Sequence, residues 1–146
     1  MTSNNIFKLT LPSGWKETTV YTFEGPYDSG VQHNLVLSIL PELPENVALA
    51  QYVQSQMEVS AESLPGFELI SEKELTVTDI QAGYETVFRY QPSDDVRYMQ
   101  KQWYFVIKDK IYLFTATFSK KTLKTIGTEV ETIVRSLQTD LINDDE

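Results

Sequence analysis

The sequence predicts an α+β fold, an antiparallel sheet of about seven strands with two main helices packed on one face of it. Seven short stretches alternate apolar and polar residues with a period of two, which is typical of strands that bury one face. Only two stretches carry apolar residues at spacings of three and four, which indicates amphipathic helices. Two helices cannot supply a crossover for every strand, so the short links between strands predict antiparallel pairing.

Three strands and a helix make up the first half of the chain. The strands are predicted over residues 6–11, 18–24 and 34–40. The helix is predicted to begin at Asn46, whose side chain can cap the first turn, and to run to about Ser63. Pro65 and Gly66 end it, since glycine suits the left-handed position after a helix.

The second half is predicted to hold four more strands and the second helix. Two strands are expected over residues 67–77 and 81–90, followed by a hairpin over 96–119. The second helix is predicted from an apolar stripe of six residues, Leu123, Ile126, Val130, Ile133, Val134 and Leu137. An acidic, frayed tail is expected over 139–146, which leaves a single domain of 146 residues with its core at about 6–138.

The hairpin over residues 96–119 has two chemically different faces. Bulky apolar side chains alternate along one face: Trp103, Phe105, Ile107, Tyr112, Phe114, Ala116 and Phe118. The other face mixes amide, hydroxyl and apolar groups: Gln100, Gln102, Tyr104, Leu113, Thr115 and Thr117. We expect the first face to lie under the helices, while the second meets water or a partner.

The mixed face is predicted to continue into the second and third strands. Val20 and Thr22 lie at alternate positions of one, and Val36 and Ser38 of the other. Two interpretations stay open. The face is either solvated, since scattered apolar groups are normal on protein surfaces, or it is a docking surface in which apolar groups are ringed by hydrogen-bond donors.

Charge and composition exclude several classes of function. A net charge of −9 argues against nucleic acid and anionic lipid as partners. The absence of cysteine excludes disulfides, thiol catalysis and thiolate metal sites, and fits a reducing compartment. No secretory signal is visible at the N-terminus, and no apolar run is long enough to insert stably in a membrane. We therefore expect a cytoplasmic protein.

No catalytic or metal-binding set is recognisable. His33 is the only histidine and is predicted to lie at the surface, with no nucleophile pattern to make a triad. Asp94 and Asp95 are expected in a solvated turn, and no glycine-rich phosphate loop occurs. The sequence thus predicts a protein that is not an enzyme, with no cofactor and no metal.

Several short motifs, taken in order, resemble the DcrB-like family. They are Leu11-Pro12-Ser13-Gly14-Trp15, Thr19-Val20, Asn34-Leu35-Val36-Leu37-Ser38, Leu64-Pro65-Gly66-Phe67, the pair Gln100 and Gln102, and Thr115-Ala116-Thr117. The resemblance runs from about residue 7 to residue 137. It implies a PsbP-like fold, in which an antiparallel sheet is flanked by helices.

Stand-alone members of this size resemble the Eag-type chaperones of type VI secretion. That resemblance implies a homodimer that binds hydrophobic transmembrane segments of an effector on a concave sheet face. Carried over by position, the face includes Val20, Thr22, Val36, Ser38 and Gln102. With the rest of the mixed face, the predicted partner-binding residues are Val20, Thr22, Val36, Ser38, Gln100, Gln102, Leu113 and Thr115. A PsbP-like accessory module that docks on a folded partner is the alternative, and a small-ligand binder or enzyme ranks last.

Overall fold

A computed structural model of the protein describes residues 9–15, 18–28, 30–76, 82–108 and 110–143. Its elements in chain order are β1 (Thr19–Asp28), β2 (Val31–Leu40), α1 (Leu49–Ser63), β3 (Glu68–Leu75), β4 (Ala82–Ser93), β5 (Val96–Ile107), β6 (Lys110–Phe118) and α2 (Ile126–Asn143). All the period-two stretches after the first are strands, and the two stretches of helical spacing are helices, which confirms the α+β prediction.

The six described strands form one antiparallel sheet in the order β1-β2-β6-β5-β4-β3. The last four strands follow one another as a meander, and the β1–β2 hairpin joins them through β2 and β6. The predicted number of about seven strands is therefore slightly too high for the described chain. Residues 9–11 of the predicted first strand lie outside any strand, and residues 6–8 lie outside the described residues.

The two helices lie on opposite faces of the sheet, so the prediction that both pack on one face was wrong. α2 buries Ile126, Val130 and Val134 against a cluster that contains Leu35, Leu37, Trp103, Phe105, Phe114 and Phe118. α1 buries Leu49, Val53 and Met57 against Tyr84, Phe88, Tyr104, Val106 and Ile111. Because Tyr104 and Val106 alternate with Trp103 and Phe105 along β5, the two clusters lie on opposite faces.

The apolar face of the β5–β6 hairpin was predicted correctly. Trp103 is 1% exposed, and Phe105, Phe114 and Phe118 are buried beside it under α2. The rings of Phe105 and Phe114 meet edge to face, with their centroids 6.1 Å apart. Bulky alternating side chains on one face of this hairpin therefore form the larger part of the core.

The ends of both helices differ from their predicted positions. Ala48, and not Asn46, precedes the first residue of α1, and its N–H donates to Gln51 Oε1 at 3.0 Å. Asn46 instead has a φ of +66°, a left-handed conformation that asparagine tolerates in turns. α2 continues to Asn143, so the backbone of residues 139–143 is helical, although a frayed tail was expected there.

His33 is buried, so its predicted surface position was wrong. The residue is 2% exposed, and its Nδ1 lies 3.0 Å from the carbonyl oxygen of Pro26. Since a carbonyl only accepts, Nδ1 carries the proton, and in the neutral ring Nε2 accepts from Thr122 Oγ1 at 2.8 Å. β2 begins at Val31, earlier than predicted, which puts His33 on the same face as Leu35 and Leu37.

Replacing Trp103 by alanine should destabilise the protein strongly. Removing a buried tryptophan leaves a cavity under α2, so we expect the free energy of unfolding to fall by about 3–5 kcal/mol. Urea denaturation followed by far-ultraviolet circular dichroism measures this change. Trp15→Ala is the matched control, because Trp15 is 72% exposed and its loss should cost less than about 0.5 kcal/mol. A loss below about 1 kcal/mol for Trp103→Ala would contradict the central place of this side chain in the core.

Candidate partner-binding face

Cross-strand pairing brings the eight predicted partner-binding residues to one face of the sheet, because directly paired residues point the same way. One row across the strands consists of Val20, Ser38 and Leu113. The next row consists of Thr22, Val36, Thr115 and Gln102. Gln100 lies two residues before Gln102 in β5 and so belongs to the same face. We call these eight residues the open face.

Most of the open face is not covered by α1, although Leu113 packs against the apolar cluster beneath that helix. α1 packs over β3 and β4, and its cluster extends to Tyr104 and Val106 of β5 and Ile111 of β6 but includes neither Val20 nor Val36. Val20 is 57% exposed on the edge strand β1. The sequence predicted that both helices pack on the opposite face of the sheet, whereas α1 covers the neighbouring part of this face.

Hydrogen bonds between side chains hold the polar groups of the open face in place. Gln102 Oε1 accepts from Thr86 Oγ1 at 3.2 Å and from the Tyr104 hydroxyl at 2.9 Å. In the next row, Gln100 Nε2 donates to Thr117 Oγ1 at 3.2 Å. The amides of Gln100 and Gln102 therefore have fixed orientations in the chain by itself.

The sequence analysis placed Tyr104 on this face but missed two residues that lie beside its hydrogen-bond network, Thr86 and Tyr52. Thr86 is fully buried, and the alternation of Tyr84, Thr86 and Phe88 along β4 is the signal that places it on this face. Burial raises the pKa of the Tyr104 hydroxyl, and the neighbouring Tyr52 adds to the rise, so Tyr104 stays a neutral donor. Tyr52 itself stands on α1 and accepts from Gln56 Nε2 at 2.8 Å.

The described residues do not form a metal site. Within these ranges, no three histidine, aspartate or glutamate side chains come close enough together to hold a metal ion. Asp94 and Asp95 are exposed in the turn between β4 and β5, as predicted. Neither described helix is long and apolar enough to cross a membrane.

A family model described as DcrB matches residues 8–136, nearly the whole chain. No curated protein matches the sequence.

Solved structures share the fold. PA94 from Pseudomonas aeruginosa, a protein of unknown function, is 18% identical with a TM-score of 0.70, over 85% of each chain. The cyanobacterial PsbP of Synechocystis sp. PCC 6803 is 14% identical with a TM-score of 0.58, over 85% of this chain and 93% of its own. LpqN of Mycobacterium tuberculosis, described as involved in cell envelope biogenesis, is 12% identical with a TM-score of 0.53, over 79% of each. These similarities confirm the PsbP-like fold.

Replacing Gln102 by leucine should destabilise the protein through its buried neighbours. The hydroxyls of Thr86 and Tyr104 would lose their common acceptor, so we expect the free energy of unfolding to fall by about 1–3 kcal/mol. Chemical denaturation measures the loss, and Gln54→Leu on the exposed side of α1 should change stability by less than about 0.5 kcal/mol.

A second substitution tests whether the two side chains act as a pair. If Tyr104 depends on Gln102 for its acceptor, Tyr104→Phe should cost less in the Gln102→Leu background than in the original chain. Equal costs in both backgrounds would show that the hydrogen bond between Tyr104 and Gln102 carries no stability.

Proposed function

Because this chain belongs to the DcrB family, we propose that it is a non-enzymatic chaperone or adaptor whose open face binds an apolar transmembrane segment of a type VI secretion effector. The observation that carries this proposal is the combination of exposed Val20 with preoriented amides and hydroxyls on one uncovered sheet surface. The kind of effector follows from the resemblance of the sequence motifs to the Eag-type chaperones. Such a protein would act in the cytoplasm, before export.

The width of the open face suits one helix. It spans β1, β2, β6 and β5, and three strand spacings amount to about 14 Å. An α-helix with its side chains is about 10–12 Å across, so it can lie on this surface. Val20, Val36 and Leu113 offer apolar contact, while the amides of Gln100 and Gln102 can meet the polar side chains that many transmembrane helices carry.

The length of the open face supports a homodimer. The open face has three rows of side chains, and neighbouring rows are two residues apart along the strands. The outer rows, which contain Val20 and Gln100, are therefore four residues or about 14 Å apart. A transmembrane helix is apolar over about 30 Å, so one protomer would cover about half of it. Two protomers placed end to end along the helix would cover the whole segment.

A PsbP-like accessory module that docks on a folded protein is the alternative. Tyr21 and Phe23 of β1 favour it, because they are exposed on the face opposite Val20 and Thr22. A folded partner that wraps around the β1 edge would cover both faces of this strand, whereas a single apolar helix on the open face would leave Tyr21 and Phe23 in water.

Charged substitutions on the open face should abolish partner binding and spare the fold. The chain is co-expressed with the N-terminal region of the effector encoded beside its gene, and the complex is isolated by a tag on the effector. We expect the original chain to co-purify and the double variant Val20→Asp, Val36→Asp to be lost, because two carboxylates cannot be buried against an apolar helix without partners.

Val59→Asp is the matched control, since Val59 is 59% exposed on α1, close to the 57% of Val20. This variant should bind as the original chain does. Retained binding by the double variant would move the site away from the open face. If the original chain co-purifies equally well with a folded effector fragment that lacks its apolar segment, the accessory-module alternative is supported instead.

A further inference from the structure

A groove lies on the α2 side of the sheet, between β1 and α2. Tyr21 pairs with Leu37 and Phe23 with Leu35, so these four side chains point to the same side. α2 covers Leu35 and Leu37, whereas Tyr21 and Phe23 are exposed and lie outside its apolar cluster. None of the open-face residues lines the groove, so an inference about it goes beyond the proposed function and does not rest on it.

The groove has a buried apolar floor between two half-exposed apolar walls. Leu35 and Phe118 line it and are buried, while Phe23 and Ile133 line it and are each 48% exposed. Ile133 follows Val130 by three positions, which places it beside the buried stripe of α2. The cavity measures about 80 Å³, far below the roughly 300 Å³ of the smallest small-molecule sites. It therefore suits one aliphatic side chain of a larger partner better than a whole small ligand.

Both charged residues that line the groove are acidic. Glu24 and Glu129 are exposed, and Glu129 stands one turn of α2 before Ile133. In the part of the chain that the structure describes, neither carboxylate takes part in an ion pair. His33 also lines the groove, but both of its ring nitrogens have partners inside the chain. The groove thus offers apolar surface next to two negative charges without a counterion.

We propose that this groove binds a segment of a partner protein in which a leucine side chain is flanked by lysine or arginine. The leucine fills the cavity between Phe23 and Ile133, and the flanking cations lie beside Glu24 and Glu129. Charge complementarity favours such a partner over a second copy of this chain, because two chains that each carry a net charge of −9 repel one another.

Nuclear magnetic resonance of the full chain, labelled with ¹⁵N, tests this with a blocked tripeptide of sequence lysine-leucine-lysine at low, constant ionic strength. We expect saturable shifts of the backbone amide signals of Phe23, Leu35 and Ile133. A lysine-serine-lysine peptide has the same charge without the apolar side chain and should bind at least about tenfold more weakly. A glutamate-leucine-glutamate peptide should bind about fivefold more weakly or worse, because its charges are repelled.

Two double variants then separate the groove from the general acidity of the chain. Glu24→Gln with Glu129→Gln should weaken binding of the lysine-leucine-lysine peptide by about threefold or more. Glu58→Gln with Glu62→Gln removes the same charge from exposed positions of α1, outside the groove, and should leave binding unchanged.

Three results would overturn the proposal. The first is the absence of saturable shifts at the groove, and the second is equal binding of the leucine and serine peptides or equal loss in the two double variants, which would mean unspecific attraction to an acidic protein. The third is a shift of the same groove signals with protein concentration and no peptide present, which would assign the groove to a second copy of the chain.

Discussion

The six-stranded sheet is wider than a single helix, and this difference determines which parts of the two sheet faces are uncovered. Five strand spacings amount to about 24 Å, whereas a helix with its side chains covers about 10–12 Å. One helix on each face therefore leaves about half of each face uncovered. α1 lies over β3, β4 and part of β5, while α2 lies on the other face near β2, β5 and β6. Most of the open face lies in the uncovered part of the α1 side, and Tyr21 and Phe23 are exposed on the α2 side.

Local periodicity allowed most of the sheet, but not the helix placement, to be predicted. Alternation along β5 and β6 correctly assigned Trp103, Phe105 and Phe114 to the core and Gln102 and Thr115 to the other face, because strand side chains alternate whatever surrounds them. The same alternation cannot say which face a helix covers when both carry apolar residues, as Tyr104 and Val106 show. The burial of His33 depends on Thr122, 89 residues later, and no local pattern contains that contact.

The polar network of the open face explains how this surface can stay exposed. A sheet surface lined only by apolar side chains, next to β1 at the edge of the described sheet, would be prone to pair with other chains. The amides of Gln100 and Gln102 interrupt the apolar surface and are held there by hydrogen bonds to Thr117, Thr86 and Tyr104. The face therefore combines apolar contact with enough polarity to remain hydrated when it is empty.

The pairing of β2 with β6 has a consequence for the order of folding. The strands β3 to β6 are neighbours in sequence and pair through short turns, so their loops close at low entropic cost. In contrast, Leu40 pairs with Ile111, 71 positions further along the chain. Because β1 and β2 carry Val20, Thr22, Val36 and Ser38, half of the open face reaches its place only when this long-range contact forms. During synthesis, the ribosome must release Lys110–Phe118 of β6 before that surface can exist.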